Sequence, residues 1–278
     1  MSVRTLMMKN HIRAAMLGIA SLCLVSIGHA ETICTVVMDA ATGRTAVKEG
    51  RCEQRFTPAS TFKIAMAAMG FDSLYLKNAH APVLLFREGY PDWGGEAWKQ
   101  PTDPTRWLKY SVVWYSQQLT HALGQAKVEN YARKFGYGNA NLSGDAGRNN
   151  GLDRGWISSS LQISPVEQVV FLRKLVNGKL PISRRATELT EAVVEETTLP
   201  SAWIVKGKTG MAYPRKPDYS FDEEHPWGWF VGWAKKGDRT YVFARLIQDD
   251  GKLPGTAGVR SRDAFLAELP SMLAKEGD

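Results

Sequence analysis

The sequence predicts an α/β domain of the layered α+β kind, in which one sheet is covered by helices. Three observations predict it. Strand-like runs stand near both ends of the chain, at 35–38 and again at 202–206, 229–233 and 241–247. Helical segments fill the middle. No repeat, low-complexity tract or obvious linker divides the chain, so strands distant in sequence must share a sheet. The length of 278 residues, 44% of them hydrophobic, suits one large domain or two small ones. Nine Trp, nine Tyr and ten Phe exclude disorder as the main state.

The first thirty residues read as an export signal. Arg4, Lys9 and Arg13 form a basic start without an acid, Ala14 to Ile27 is an apolar stretch, and Gly28-His29-Ala30 places small residues at a cleavage site. The apolar stretch is rather short for an uncleaved membrane anchor. The predicted organisation is therefore a signal peptide over 1–30 and one catalytic domain over 31–278, with a periplasmic location. Removing the signal takes away three of the 35 basic residues. The remaining 32 face 28 acids with no run of five or more bases, which gives little reason to expect nucleic acid.

Cys23 leaves with the signal, so Cys34 and Cys52 remain. Thr35-Val36-Val37-Met38 predicts a strand, and Ala41-Thr42-Gly43-Arg44 a turn midway between the two cysteines. In an oxidising compartment they can close a disulfide; two buried free thiols are the alternative.

Thr61 to Met69 predicts a helix ending at Gly70. Asp103-Pro104 is an N-cap with Pro at the first helical position. Val113 to Leu123 is a helix broken at Gly124, and Ala126 to Phe135 one closed by Gly136. Ser164-Pro165-Val166-Glu167 is a capping box opening a helix that ends near Gly178. Ala202 to Lys206 predicts a strand. Trp229 to Trp233 and Tyr241 to Ile247 predict a hairpin turned at Lys236-Gly237-Asp238. Arg260 to Lys275 predicts a last helix, disturbed at Pro270.

The sharpest chemical feature is Ser60-Thr61-Phe62-Lys63. Residues three apart on a helix share a face, with Cβ atoms about 5–6 Å apart. A Ser at a helix start also lies where backbone N–H groups can hold negative charge. Ser needs a base, and a neutral or modified Lys one turn away can serve. By itself the motif is equally a helix cap. Lys208-Thr209-Gly210 can present a cation and a hydroxyl to an anionic substrate, with Gly allowing close approach. A plain strand end is the alternative; a phosphate-binding loop is excluded, because Ala202 stands where it needs Gly.

Ser-x-x-Lys followed by Lys-Thr-Gly is the serine acyl-transfer signature of β-lactamases and penicillin-binding proteins. With Ser111-Val112-Val113, Tyr137-Gly138-Asn139, Trp156-Ile157 and Trp229-Phe230-Val231-Gly232-Trp233, the mature chain resembles the class D β-lactamases, or oxacillinases. The resemblance implies an antiparallel sheet flanked by helices with a mostly helical subregion, the serine β-lactamase/transpeptidase-like fold. Ser111-Val112-Val113 lacks the acid of the class A Ser-Asp-Asn element, and no counterpart of the class A Glu is found.

The resemblance further implies that Lys63 takes up CO₂ as a carbamate and so becomes an anionic base, with no other cofactor. Carbamate formation needs the neutral amine, which burial favours, and Phe62 and Val113 help to supply the apolar pocket. Trp156 would donate its indole N–H to the carbamate; without the resemblance it would read as a core aromatic. Ser60 and Met211 would hold the oxyanion on their backbone N–H groups, and Ser111 would relay a proton to the leaving nitrogen. Lys208, Thr209 and Gly210 would face the substrate carboxylate together with Arg260, although Arg262 is a nearby competitor for that last part. Val113 would border the water route. Tyr137-Gly138-Asn139 reads as structural.

The implied activity is β-lactam hydrolysis leading to antibiotic resistance, on a small-molecule substrate, by a monomer or homodimer without stable membrane insertion. A penicillin-binding peptidase and a β-lactam sensor domain are the competing readings. The first usually brings extra domains or an anchor and the second needs a transmembrane region and a signalling domain, and none of these is expected here. Metal-dependent hydrolysis is not expected either, since His80, His121 and His225 are scattered. The substrate profile stays open, because it depends on loops near Trp93 and Trp98 and on the segment from Met211 to Phe221.

Overall fold

The computed structural model describes residues 30–274. The predicted signal lies outside them except for Ala30, which opens the first strand. Six antiparallel strands form one sheet: β1 (Ala30–Asp39), β2 (Thr45–Gly50), β3 (Glu196–Thr198), β4 (Ile204–Ala212), β5 (Trp227–Lys236) and β6 (Arg239–Asp249), in the order β2-β1-β6-β5-β4-β3. β1 lies between its hairpin partner β2 and β6, pairing from Ala30 opposite Asp249 to Asp39 opposite Tyr241. Cys34 and Cys52 are joined as a disulfide that ties β1 to the turn beyond β2.

Among the described residues eight α-helices accompany the sheet: α1 (Phe62–Asp72), α2 (Pro104–Tyr110), α3 (Val113–Leu123), α4 (Gln125–Phe135), α5 (Gly151–Arg154), α6 (Pro165–Val176), α7 (Arg184–Val193) and α8 (Ala257–Ala274). α8 covers one face, where Phe265, Leu269 and Leu273 pack on Val37, Phe230 and Phe243. The rings of Phe243 and Phe265 stack at 4.1 Å between centroids. The opposite face carries the larger core, with α1 at its centre.

Every residue of α1 from Phe62 to Phe71 is buried. A helix apolar on all sides belongs inside, and Lys63 is the one cation in it. The predicted stop at Gly70 is overturned, for α1 runs on to Asp72. Gly70 is there for space: a Cβ would come within 2.7 Å of Leu76 and 2.9 Å of Leu119. The disturbance expected at Pro270 is also absent, because α8 continues through it to Ala274, held by its buried apolar residues.

The predicted caps are present. Asp103 accepts from the Arg106 N–H at 2.7 Å, and Ser164 and Glu167 form a reciprocal capping box. Gly136 closes α4 at φ 66°. β4 begins later and ends later than the predicted 202–206, so Lys208, Thr209 and Gly210 lie inside a strand. β3, α5 and α7 had no clear signal in the sequence.

Candidate active site

Ser60 sits in a short 3-10 turn, Ala59–Thr61, that leads directly into α1. Ala59 holds φ at +51°, a region that costs a non-glycine residue on the order of 1–2 kcal/mol. Its N–H donates to the Trp156 carbonyl at 3.0 Å, which helps to fix the turn. One helical turn on, Lys63 Nζ donates to Ser60 Oγ at 2.9 Å. Lys63 is fully buried, and burial first, then the charge of Lys208, pushes its amine well below the ordinary lysine range. That environment favours the neutral amine.

Ser111 lies between α2 and α3, in left-handed conformation at φ 56°. A residue so strained at a junction commonly marks a functional position. Its Oγ accepts a short hydrogen bond from Lys208 Nζ, which also donates to the Thr209 carbonyl at 3.0 Å. Lys208 is buried on β4, and its ammonium is lowered to about 8 by burial, opposed by Glu195 and reinforced by Arg262.

β3 pairs only with residues 204–206, which leaves the rest of β4 as a free edge beside Ser60. The Gly207 N–H points towards that edge, where it donates to the Glu195 carbonyl at 3.1 Å. Strand groups alternate sides, so the N–H groups of Thr209 and Met211 point the same way. Gly210 brings the edge close: a Cβ there would meet the Ser60 nitrogen at 3.2 Å and the Pro58 carbonyl at 3.1 Å. The Ser60 amide thus lies close against the β4 backbone one residue before Met211, and both residues line the same cleft.

A cleft of about 360 Å³ opens over these groups, lined by Ser60, Ser111, Val113, Thr209, Gly210 and Met211. Trp93, Trp98, Tyr110 and Ile157 form its apolar walls. Beneath it, the Phe62 ring packs against Tyr137 at 5.0 Å and Trp156 at 6.1 Å. A serine, a buried lysine, a second hydroxyl held by a second lysine, and edge amides are groups that acyl transfer can use.

The chain matches the model of the penicillin binding protein transpeptidase domain over residues 33–270. It is 41% identical over 246 residues to beta-lactamase OXA-9 of Klebsiella pneumoniae, covering 87% of this chain and 89% of the relative. It is 36% identical to beta-lactamase OXA-1 of Escherichia coli, over 77% and 75% of the two chains. The crystal structure of the OXA-427 class D β-lactamase superposes with a TM-score of 0.81 at 42% identity, over 87% of this chain and 98% of the other. The chain belongs to the class D β-lactamase family.

Not every residue expected in a class D site lies in the cleft. Arg260 is absent from its lining, and its guanidinium is engaged by Asp249, with Nε 3.2 Å from Oδ1 and Nη2 on Oδ2, and by the Pro254 carbonyl. Arg262 pairs with its neighbour Asp263 at 2.8 Å, and it is Arg262 whose charge is felt at Lys208. Trp156 is fully buried and accepts on its carbonyl from Ala59, while its Nε1 has no partner among the described residues. His80, His121 and His225 each pair with a different Asp, namely Asp103, Asp153 and Asp222.

Sequence reasoning missed two contributors to this class D site, and it named Ile157 only as part of a motif, without a place in the cleft. Tyr110 gives no signal beyond being aromatic. Thr57 sits two residues before Ala59 and donates to the Trp156 carbonyl at 3.0 Å, while its own carbonyl accepts from Trp229 Nε1 at 2.9 Å. Its only hint was its place just before Pro58-Ala59-Ser60.

Among the described residues no helix is long and apolar enough to cross a membrane.

Proposed function

We propose that this class D chain hydrolyses the β-lactam ring of penicillin-type antibiotics through a covalent acyl-Ser60, and so confers resistance. The observation that carries the reading is the 2.9 Å contact between Ser60 and a fully buried Lys63 whose ammonium form is disfavoured. A neutral amine can add CO₂ and release one proton, and the resulting carbamate would supply an anionic base beside Ser60. The residues suit such a group: the Trp156 Nε1 donor is buried without a partner, and the surrounding rings are apolar.

Lys63 takes the Ser60 proton as Oγ attacks the ring carbonyl carbon. The N–H groups of Ser60 and Met211 hold the oxyanion. As the ring C–N bond breaks, Ser111 passes a proton to the departing nitrogen and is resupplied by Lys208. Lys208 and Thr209 meet the substrate carboxylate, with Arg260 available only after leaving Asp249. Lys63 returns the proton it took from Ser60 to Lys208 by way of Ser111 and, a free base again, takes a proton from water, whose oxygen attacks the acyl carbon beside Val113; it gives that proton to Ser60 Oγ as the ester C–O bond breaks. Residues 1–30 would direct the chain to the periplasm and then be cleaved off, and the mass of the mature chain tests that.

Nitrocefin turnover tests the chemistry. Sustained turnover that falls when bicarbonate and CO₂ are depleted, and returns on their addition, is the expected result. A single stoichiometric burst would overturn the reading and favour a penicillin-binding peptidase or a sensor.

A further inference from the structure

Ser158, two residues beyond Trp156, has three polar groups, and each reaches a different part of the site. Its N–H donates to Thr57 Oγ1 at 3.0 Å, the same hydroxyl that donates to the Trp156 carbonyl. Its Oγ accepts from the Tyr213 N–H at 3.1 Å, two residues beyond Met211. Its carbonyl accepts from Arg215 Nε at 3.1 Å. Ser158 is buried and holds φ at +51°. Such a conformation persists in a non-glycine residue only where its surroundings over-determine it, and here three bonds do so.

The third bond is itself anchored. Arg215 Nη2 lies 3.2 Å from Asp145, Nη1 donates to the Tyr219 carbonyl at 2.7 Å, and the guanidinium lies over the Phe221 ring at 4.1 Å. Asp145 is tied in turn to Ser159 Oγ at 2.8 Å and Asn150 Nδ2 at 3.1 Å. The free end of β4 and the Trp156 segment therefore meet at Ser158.

We infer that Ser158 is a positioning residue that sets the Met211 oxyanion amide and the Trp156 indole in one fixed relation to Ser60 and Lys63. It touches no reacting atom. It acts through Tyr213 on the end of β4, and through Thr57 on the turn that carries Ser60. Misplacement of a catalytic group by about 1 Å can cost on the order of a hundredfold in rate, so a joint that holds two such groups affects both. The inference rests on the functional reading above.

The test is Ser158→Gly. Glycine adopts positive φ without a Cβ penalty and keeps the N–H and C=O bonds, so only the Oγ link to Tyr213 is lost. The melting temperature should stay near that of the parent. The acylation rate constant for nitrocefin should fall about tenfold, and the bicarbonate concentration giving half-maximal turnover should rise severalfold. If either kinetic quantity stays at the parent value, Ser158 does not couple the two groups and the inference fails. Should the glycine variant not fold, Arg215→Ala, which releases the Ser158 carbonyl from the surface side, is read by the same two quantities and the same rule. The parent enzyme is the control that separates the two ideas. If it shows no bicarbonate-dependent turnover, the functional reading falls and this inference with it; if it does and the variant matches it, this inference alone falls.

Discussion

Lys63 Nζ donates to Ser60 Oγ at 2.9 Å from a side chain with no solvent exposure. A lysine so placed works as a base only when it carries no proton or has been modified. Lys63→Ala should therefore acylate slowly and, above all, fail to release product, its deacylation rate falling by about 10²–10⁴, the usual contribution of a general base. Acyl-enzyme should then accumulate in a mass spectrum of the mixture with penicillin. Turnover equal to the parent would remove Lys63 from the mechanism.

Lys208 should leave a mark on the pH profile. Its ammonium is lowered to about 8, so it is charged below that pH and neutral above it. Proton supply through Ser111 and attraction of a substrate carboxylate both need the charged form. Turnover should thus decline as pH rises through about 8. Arg262 is one cause of the lowering, so Arg262→Ala should move that limb to higher pH. A limb that stays in place would assign it to another group.

Arg260 offers a way to tell a substrate contact from a structural one. The Asp249 side chain is fully buried and pairs with Arg260. Stripping the partner from a buried charge costs roughly 3–5 kcal/mol. Arg260→Ala should consequently lower the melting temperature markedly as well as raise KM. A raised KM with an unchanged melting temperature would show that the arginine serves the substrate alone.

The disulfide Cys34–Cys52 spans 18 residues of sequence, and closing a loop of this size is worth about 3 kcal/mol. Reduction should lower the melting temperature by roughly 6–12 °C, since each kcal/mol moves it about 2–4 °C in a domain of this size. The acylation rate should hold, because the bridge lies between β1 and the turn beyond β2, away from the cleft lining. Differential scanning calorimetry with and without reductant, beside nitrocefin burst kinetics, checks both halves.

The site was legible where its logic is local. Ser60 and Lys63 share a helix face by spacing alone, and the Ser164–Glu167 box declares itself within four residues. The meeting of Lys208 with Ser111, 97 residues apart, was reachable only through the order of motifs. Gly70 reads as a stop in a one-dimensional pattern, yet Leu76 and Leu119 give it another purpose. Ser158 was invisible, because its bonds run to Thr57 and to residues 213–215, and nothing in Ile157-Ser158-Ser159 announces them. The competition of Asp249 for Arg260 likewise depends on a fold that brings the end of β6 beside the start of α8.

The pairing of β1 with β6 has a consequence for the order of events during synthesis. Ala30 finds its partner only when Asp249 exists, so the sheet closes after nearly the whole chain has been made. Contacts this distant in sequence slow folding, and until they form β1 keeps an open edge available to other chains. Nascent chains should stay protease-sensitive until β6 emerges. A truncation that ends before Arg239 should lose more than one strand, because it leaves β1 and β5 without the neighbour that joins them.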